Sequence, residues 1–139
     1  MLDYRQDLPI DLDVTGGEPL LRADIIDILK ATRMEGISAT LITNGTLMTG
    51  QLARQVADLN IPVCISIDGC RKESHELLRG KSSFDLVTKG ITTSLEAGAR
   101  VRLSVTVHAG NQQEIEGVLE LAVKSHFVCK KVLGLGHGG

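Results

Sequence analysis

Short runs with strand character recur five times in this 139-residue chain, each separated from the next by a longer segment. Most of those segments carry the period of a helix. This order leaves few folds open. Strands joined through helices with short turns make a parallel sheet with right-handed crossovers, and no two-residue hairpin signal offers an antiparallel alternative. The strands fall at 10–14, 39–43, 62–67, 101–107 and, more weakly patterned, 128–132. A helix over 20–33 would place Leu21, Ile25, Ile28 and Leu29 on one stripe, and Thr49 is a suitable N-cap for the next. A short helix around 75–78 and a longer one over 84–97 follow the third strand. Asn111 with Glu114 has the spacing of a capping box that opens a helix through Ala122. The expected organisation is one domain over 1–133 and a disordered Gly/His-rich tail over 134–139.

A parallel strand covered by helices on both faces should be apolar on both. Three of these strands alternate instead. Ile10, Leu12 and Val14 oppose Asp11, Asp13 and Thr15; Val63, Ile65 and Ile67 oppose Cys64, Ser66 and Asp68; Val101, Leu103, Val105 and Val107 oppose Arg102, Ser104, Thr106 and His108. One face is built for helices and the other is polar. An antiparallel-style sheet with one wet face would give this pattern, and a curved sheet or open barrel with a polar lumen explains it with parallel connections. With one Tyr, two Phe and no Trp, the core must be aliphatic and a base-stacking surface is excluded. Lys and Arg (15) are outnumbered by Asp and Glu (17), which argues against a nucleic-acid partner. No window approaches the roughly 20 apolar residues that cross a bilayer. Three irregularly spaced cysteines make no disulfide framework, and a cytoplasmic, reducing compartment is the simplest setting.

Ligand sites of parallel α/β folds lie at the carboxyl ends of the strands. Gly16-Gly17-Glu18-Pro19, Thr43-Asn44-Gly45-Thr46 and Ser66-Ile67-Asp68-Gly69 all fall there. Gly16 and Gly17 let a ligand approach the backbone and its carbonyl groups. The Glu18 carboxylate can accept hydrogen bonds from an ammonium group. Each motif has a structural reading too: Asn-Gly and Asp-Gly make turns, and an Arg at a helix end, such as Arg79, complements the helix dipole.

Taken in order, Thr-Gly-Gly-Glu-Pro-Leu-Leu, Thr-Asn-Gly-Thr and Ser-Ile-Asp-Gly resemble the radical S-adenosylmethionine (SAM) superfamily. Within it the chain is most similar to the branch of peptide maturases and anaerobic sulfatase-maturating enzymes. His75, Arg79-Gly80, Phe84, Val87 and Gly90-Ile91 fit that branch, as does Val105-Thr106-Val107 followed by Asn111. The likeness runs from about Ile10 to Phe127. It implies a partial (β/α) barrel of parallel strands with SAM across their carboxyl ends. By position, Gly16, Gly17 and Glu18 would receive the methionyl ammonium, and Ser66 and Asp68 would lie near the ribose and carboxylate. Arg79 would be a counter-ion for that carboxylate, Thr43 and Asn44 would shape the pocket floor, and Thr106 would face the nucleoside.

The family's Cys-x3-Cys-x2-Cys loop, which holds a [4Fe–4S] cluster, has no counterpart among Cys64, Cys70 and Cys129, which lie six and 59 positions apart. The chain therefore reads as a truncated core lacking the first strand and the cluster loop, and no metal site is assigned to it. In full-length relatives, the resemblance implies, the reduced cluster cleaves SAM to a 5′-deoxyadenosyl radical for hydrogen abstraction, with a peptide or protein among the substrates. Three readings stay open: a non-catalytic piece of such an enzyme; a SAM- or nucleotide-binding module that pairs through its open sheet edge; or a cluster-free α/β enzyme with Glu18 or Asp68 as general base.

Overall fold

Five strands form one sheet in the computed structural model, which describes residues 10–124 and 128–129. They are β1 (Asp11–Val14), β2 (Ser38–Thr43), β3 (Val63–Ser66), β4 (Val101–Ser104) and β5 (Val128–Cys129). All four pairings are parallel and the spatial order follows the chain. With every right-handed crossover stepping the same way, the helices must all fall on one face. These are α1 (Ile25–Met34), α2 (Gly50–Asp58), α3 (Lys72–Arg79), α4 (Ser83–Glu96) and α5 (Ile115–Lys124). The architecture is an α/β partial barrel: one wall of strands with helices outside, and no helix on the inner face among the described residues.

Side-chain burial follows the alternation in the sequence. On β2, β3 and β4 the helix-facing residues Ala39, Leu41, Val63, Ile65, Val101 and Leu103 are buried, whereas Thr40, Cys64, Ser66, Arg102 and Ser104 on the other face are half-buried. Leu41, Val63, Ile65, Val101 and Leu103 meet Leu29 of α1, Ala53 and Val56 of α2, Val87 and Ile91 of α4, and Val118 and Ala122 of α5 in one aliphatic core. β1 is an outer strand, and its Leu12 stays 38% exposed. The Thr49 side chain accepts a hydrogen bond from the Leu52 N–H and caps α2 as expected. Thr49→Ala should lower stability by about 1 kcal/mol, read from the urea midpoint. An unchanged midpoint would mean that water replaces the cap without loss.

The first helix departs from expectation. Pro19–Leu21 forms a separate 3-10 turn, Arg22 is extended, and the helix proper starts at Ile25. Leu21 is 74% exposed, and Ile26 is buried in the stripe in its place. The break has a local cause: the Glu18 carboxylate caps the Leu20 N–H and the Arg22 side chain pairs with Asp24, so the chain turns before helical bonds can propagate. β4 also stops sooner than its pattern, at Ser104. Past that point the Thr106 N–H is bonded to the Asp68 side chain instead of a strand. The tail over 134–139, and 130–132 of the fifth strand, lie outside the described residues.

Candidate functional site

The turn after β1 is bound to the end of β2 through one carboxylate. Glu18 Oε1 accepts from the Leu20 N–H (3.0 Å) and the Thr43 hydroxyl (2.5 Å), and Oε2 accepts from the Asn44 N–H (2.8 Å). Thr43 Oγ1 in turn accepts from the Gly45 N–H, and Asn44 Oδ1 holds both the N–H and the hydroxyl of Thr46. A carboxylate offers about four lone pairs. Three are used, and one remains on the half-buried Glu18. Gly16 and Gly17 are exposed, with no atom within 4 Å of where a Cβ would stand.

A second network closes the ends of β3 and β4. Every polar group of Asp68, which is 4% exposed, is engaged. Its N–H donates to His75 Nδ1 (3.2 Å), and its carbonyl accepts from Asn111 Nδ2 (3.0 Å). Its Oδ1 accepts from the Thr106 N–H (3.3 Å), and its Oδ2 accepts from Arg79 Nε (2.6 Å). The Arg79 side chain, at the end of α3, remains 37% exposed, with its terminal amino groups unbonded among the described residues. Burial pushes the His75 imidazole below its ordinary pKa, so the ring is neutral at pH 7 and its accepting Nδ1 places the proton on Nε2. Its ring meets Phe84 edge-on at 5.7 Å. Ser66 lies half-buried beside Ser104 in register, and the Thr106 side chain is exposed.

The nine residues singled out from the sequence thus fall into two groups, Gly16, Gly17, Glu18, Thr43 and Asn44 at the ends of β1 and β2, and Ser66, Asp68, Arg79 and Thr106 at the ends of β3 and β4. Since β2 pairs with β3, the groups are neighbours along one rim. No side-chain hydrogen bond joins them among the described residues. A cleft of about 390 Å³ at the opposite, amino ends of the strands is lined by Asp11, Asp13, Arg33, Asn60, Arg100 and Arg102 and contains none of the nine.

The capping box at Asn111 and Glu114 does not form. Asn111 makes no side-chain cap; its amide donates to the Asp68 and Thr106 carbonyls, and its Oδ1 accepts from the His108 N–H. Glu114 crosses to the loop before α3, where it accepts from the Cys70 N–H (3.1 Å), Arg71 Nη2 (2.8 Å) and the Ser74 hydroxyl. The Ser74 hydrogen bond, followed by Arg71, outweighs burial and holds the Glu114 carboxyl at about 2. Sequence reasoning missed these contacts, and it passed over His75 as a site residue. A buried helical His beside an Asp-Gly turn was the available signal.

Cys64 and Cys70 form no disulfide. Burial and the neighbouring Glu114 raise the Cys70 thiol, which opposes the thiolate a metal needs. Among the described residues no three His, Cys, Asp or Glu side chains gather as metal ligands. This donor set does not fit a four-iron cluster. It does suit a zwitterionic amino acid, with a spare carboxylate lone pair at one end of the rim and, at the other, the terminal amino groups of an Arg79 guanidinium held at Nε by Asp68.

The model of the radical SAM superfamily matches residues 7–122. The AdoMet-dependent heme synthase of Oleidesulfovibrio alaskensis is 34% identical over 109 residues, 77% of this chain and 28% of that protein. The mycofactocin maturase MftC of Mycolicibacterium smegmatis is 28% identical over 115 residues, 81% of this chain and 29% of that protein. The chain therefore spans under a third of the length of these relatives. Among solved structures, Streptococcus suis SuiB bound to S-adenosylmethionine superposes with a TM-score of 0.80 at 19% identity, over 93% of this chain and 31% of that one. Native anSMEcpe with bound AdoMet gives 0.76 at 20% identity, over 94% and 39%. These two likenesses establish the fold.

Proposed function

The chain belongs to the radical SAM superfamily, and from that premise we propose that it binds S-adenosylmethionine across the carboxyl ends of β1 to β4. The observation that carries the proposal is the fixing of Glu18 and Asp68 on one rim by partners that the sequence had singled out beside them, Thr43 and Asn44 for the first, Arg79 and Thr106 for the second. Glu18 and the open carbonyls of Gly16 and Gly17 would take the methionyl ammonium. Arg79, aimed by Asp68, would take the carboxylate. Ser66 would serve the ribose, and Thr106 the nucleoside end. In this family SAM supplies hydrogen-abstraction chemistry when bound at its cluster; for the residues of this chain the proposed role is binding and orientation.

The kinship with mycofactocin maturase, and the structure of SuiB bound to its precursor peptide SuiA, favour a peptide as the substrate class of the whole enzyme. A cytoplasmic setting agrees with Cys64 and Cys70 outside disulfides. No helix of the described residues is long and apolar enough to cross a membrane. A module pairing through its sheet edge has one observation in its favour, the exposed Ile10 and Leu12 beside and on β1. A general base at Asp68 is disfavoured by its pairing with Arg79, and one at Glu18 by its three hydrogen bonds.

Calorimetric titration of the purified, iron-free chain with SAM is the test, with a circular dichroism spectrum alongside. One-to-one saturable binding is expected. Glu18→Ala should weaken it by about 1–3 kcal/mol, the scale of a lost charged hydrogen bond. Arg79→Gln should weaken it about tenfold and, because it takes the cation from the buried Asp68 carboxylate, should also lower the melting temperature. A folded wild-type chain that takes up no SAM would overturn the proposal.

A further inference from the structure

The turn between β4 and α5 joins two loops that the proposed ligand contacts use but do not explain. Asn111 is 2% exposed and spends its side chain entirely on main chain: the Asp68 carbonyl, the Thr106 carbonyl and the His108 N–H. Three residues on, Glu114 is 5% exposed and binds Cys70, Arg71 and Ser74, so one turn grips the chain on both sides of Gly69. The fit is close. A Cβ on Gly69 would stand 2.5 Å from Ser74 Oγ and 2.9 Å from Glu114 Oε2, and one on Gly117 would stand 2.4 Å from Cys70 Sγ.

Little besides these contacts fixes the main chain at Asp68. β3 ends at Ser66 and α3 begins at Lys72; the Ile67 N–H still bonds the Ser104 carbonyl of β4 and the Arg71 carbonyl accepts the His75 N–H of α3, which leaves Asp68, Gly69 and Cys70 between them outside any helix or strand. The anchors on the Asp68 main chain are Asn111 at its carbonyl and His75 at its N–H, and His75 sits on the helix whose entry Glu114 holds. Burying Asn111 with all of its hydrogen bonds made is favourable only while that geometry persists, because an orphaned amide at the same place costs a full desolvation. The network is therefore satisfied in one arrangement of the loop, the one that points Asp68 Oδ2 at Arg79 Nε.

We infer that Asn111 and Glu114 are positioning residues that hold Asp68 so that Arg79 is pre-oriented before any ligand arrives. This rests on the reading of Arg79 as the group that meets the SAM carboxylate. Neither residue needs to touch the ligand; both act through Asp68. Pre-orientation removes the ordering cost of a long side chain from the binding step.

The side-chain Nε–H of Arg79 reports this directly by 15N–1H nuclear magnetic resonance of the ligand-free chain, the signal being assigned by its disappearance in Arg79→Lys. In the wild type it should exchange slowly with water. Asn111→Asp keeps the shape of the side chain and its acceptor toward His108 but removes both donors. It should speed that exchange at least tenfold and weaken SAM binding at least tenfold. Glu114→Gln should act in the same direction. Val118→Ala, at a buried position on α5 outside the network, controls for general loosening and should leave the signal in place. An Arg79 signal unmoved in folded Asn111→Asp would overturn the inference, as would equal loss in Val118→Ala. A wild type with the slow signal and the Asn111→Asp effect but without SAM binding would overturn the SAM reading and leave the positioning role supported.

Discussion

Gly90→Ala is expected to be among the most damaging conservative substitutions in this chain, lowering stability by about 3 kcal/mol, the upper range for forcing extra volume into a packed interior. The added methyl would stand 2.1 Å from the Gly45 carbonyl oxygen and 3.0 Å from its carbon, both main-chain atoms without a rotamer to yield. Gly45 cannot retreat. Its φ is +75°, its N–H is bonded to Thr43 Oγ1, and a position only 2.9 Å from Ile65 lies on its other side. α4 would have to lift, drawing Val87 and Ile91 from the core. Helix propensity alone favours Ala over Gly by up to about 1 kcal/mol, so the sign of the effect tests the contact. Gly50→Ala is the comparison. It lies at the start of α2, where a Cβ meets only the movable end of Arg54 at 3.5 Å, and it should be neutral or slightly stabilising. Urea denaturation of the two variants decides the matter, and a Gly90→Ala midpoint at or above wild type would refute the close seating of α4. Because Gly45 follows Asn44, the same substitution should also disturb the Glu18 network and weaken SAM binding.

The sheet was legible because its information is periodic and local. Alternation at period two, as in Val63, Ile65 and Ile67 against Cys64 and Ser66, fixes which face meets helices. The one-way parallel order follows from the helices between the strands. The Thr49 cap was legible for the same reason, since cap and target lie three residues apart. Where a helical period ran through a competing local bond, the reading failed. Leu21 fits the stripe read for the first helix, yet Glu18 claims the Leu20 N–H and starts a separate turn. No propensity rule weighs that carboxylate against the helix, because Glu18 is held in place by Thr43 and Asn44, some 25 residues away.

Asn111 and Glu114 show the same limit at the site. Their i, i+3 spacing satisfies a rule about neighbouring main chain. Glu114 is instead bound to a segment 40 to 44 positions earlier, and Asn111 divides its side chain between Asp68, 43 positions earlier, and the nearby Thr106 and His108 main chain. The strand-end motifs could be found individually, and the fold dictates that strand ends share a rim. Which carboxylate meets which partner could not be found that way. The pairing of Asp68 with Arg79 depends on the angle at which α3 leaves its loop, and that loop is held by Asn111 and Glu114 from the turn between β4 and α5.

Acid should act on the chain through Glu114. Its folded pKa is about 2 against an ordinary 4.5, a depression caused first by the Ser74 hydroxyl and then by Arg71. For a depressed carboxylate the unfolded chain binds the proton more readily, so the stabilisation is complete above pH 4.5 and drains away as pH falls toward 2. A shift of that size corresponds to roughly 3 kcal/mol of stability at neutral pH. His75 adds to the slope from higher pH. Burial lowers its folded pKa from 6.5 despite the nearby Asp68 and Glu76 carboxylates, with Arg79 also opposing its charge. The unfolded chain therefore takes up its proton first, and its contribution is lost as pH drops below 6.5. Glu114→Gln isolates the first effect, since every other titrating group is common to both proteins. Measured by urea unfolding, the variant should be about 2–3 kcal/mol less stable than wild type at pH 7, the cost of stripping charge from a buried hydrogen-bonded site. The gap should close steadily between pH 4.5 and 3. Parallel stability curves over that interval would mean that Glu114 keeps an ordinary pKa and that its contacts with Ser74 and Arg71 contribute little to holding the loop.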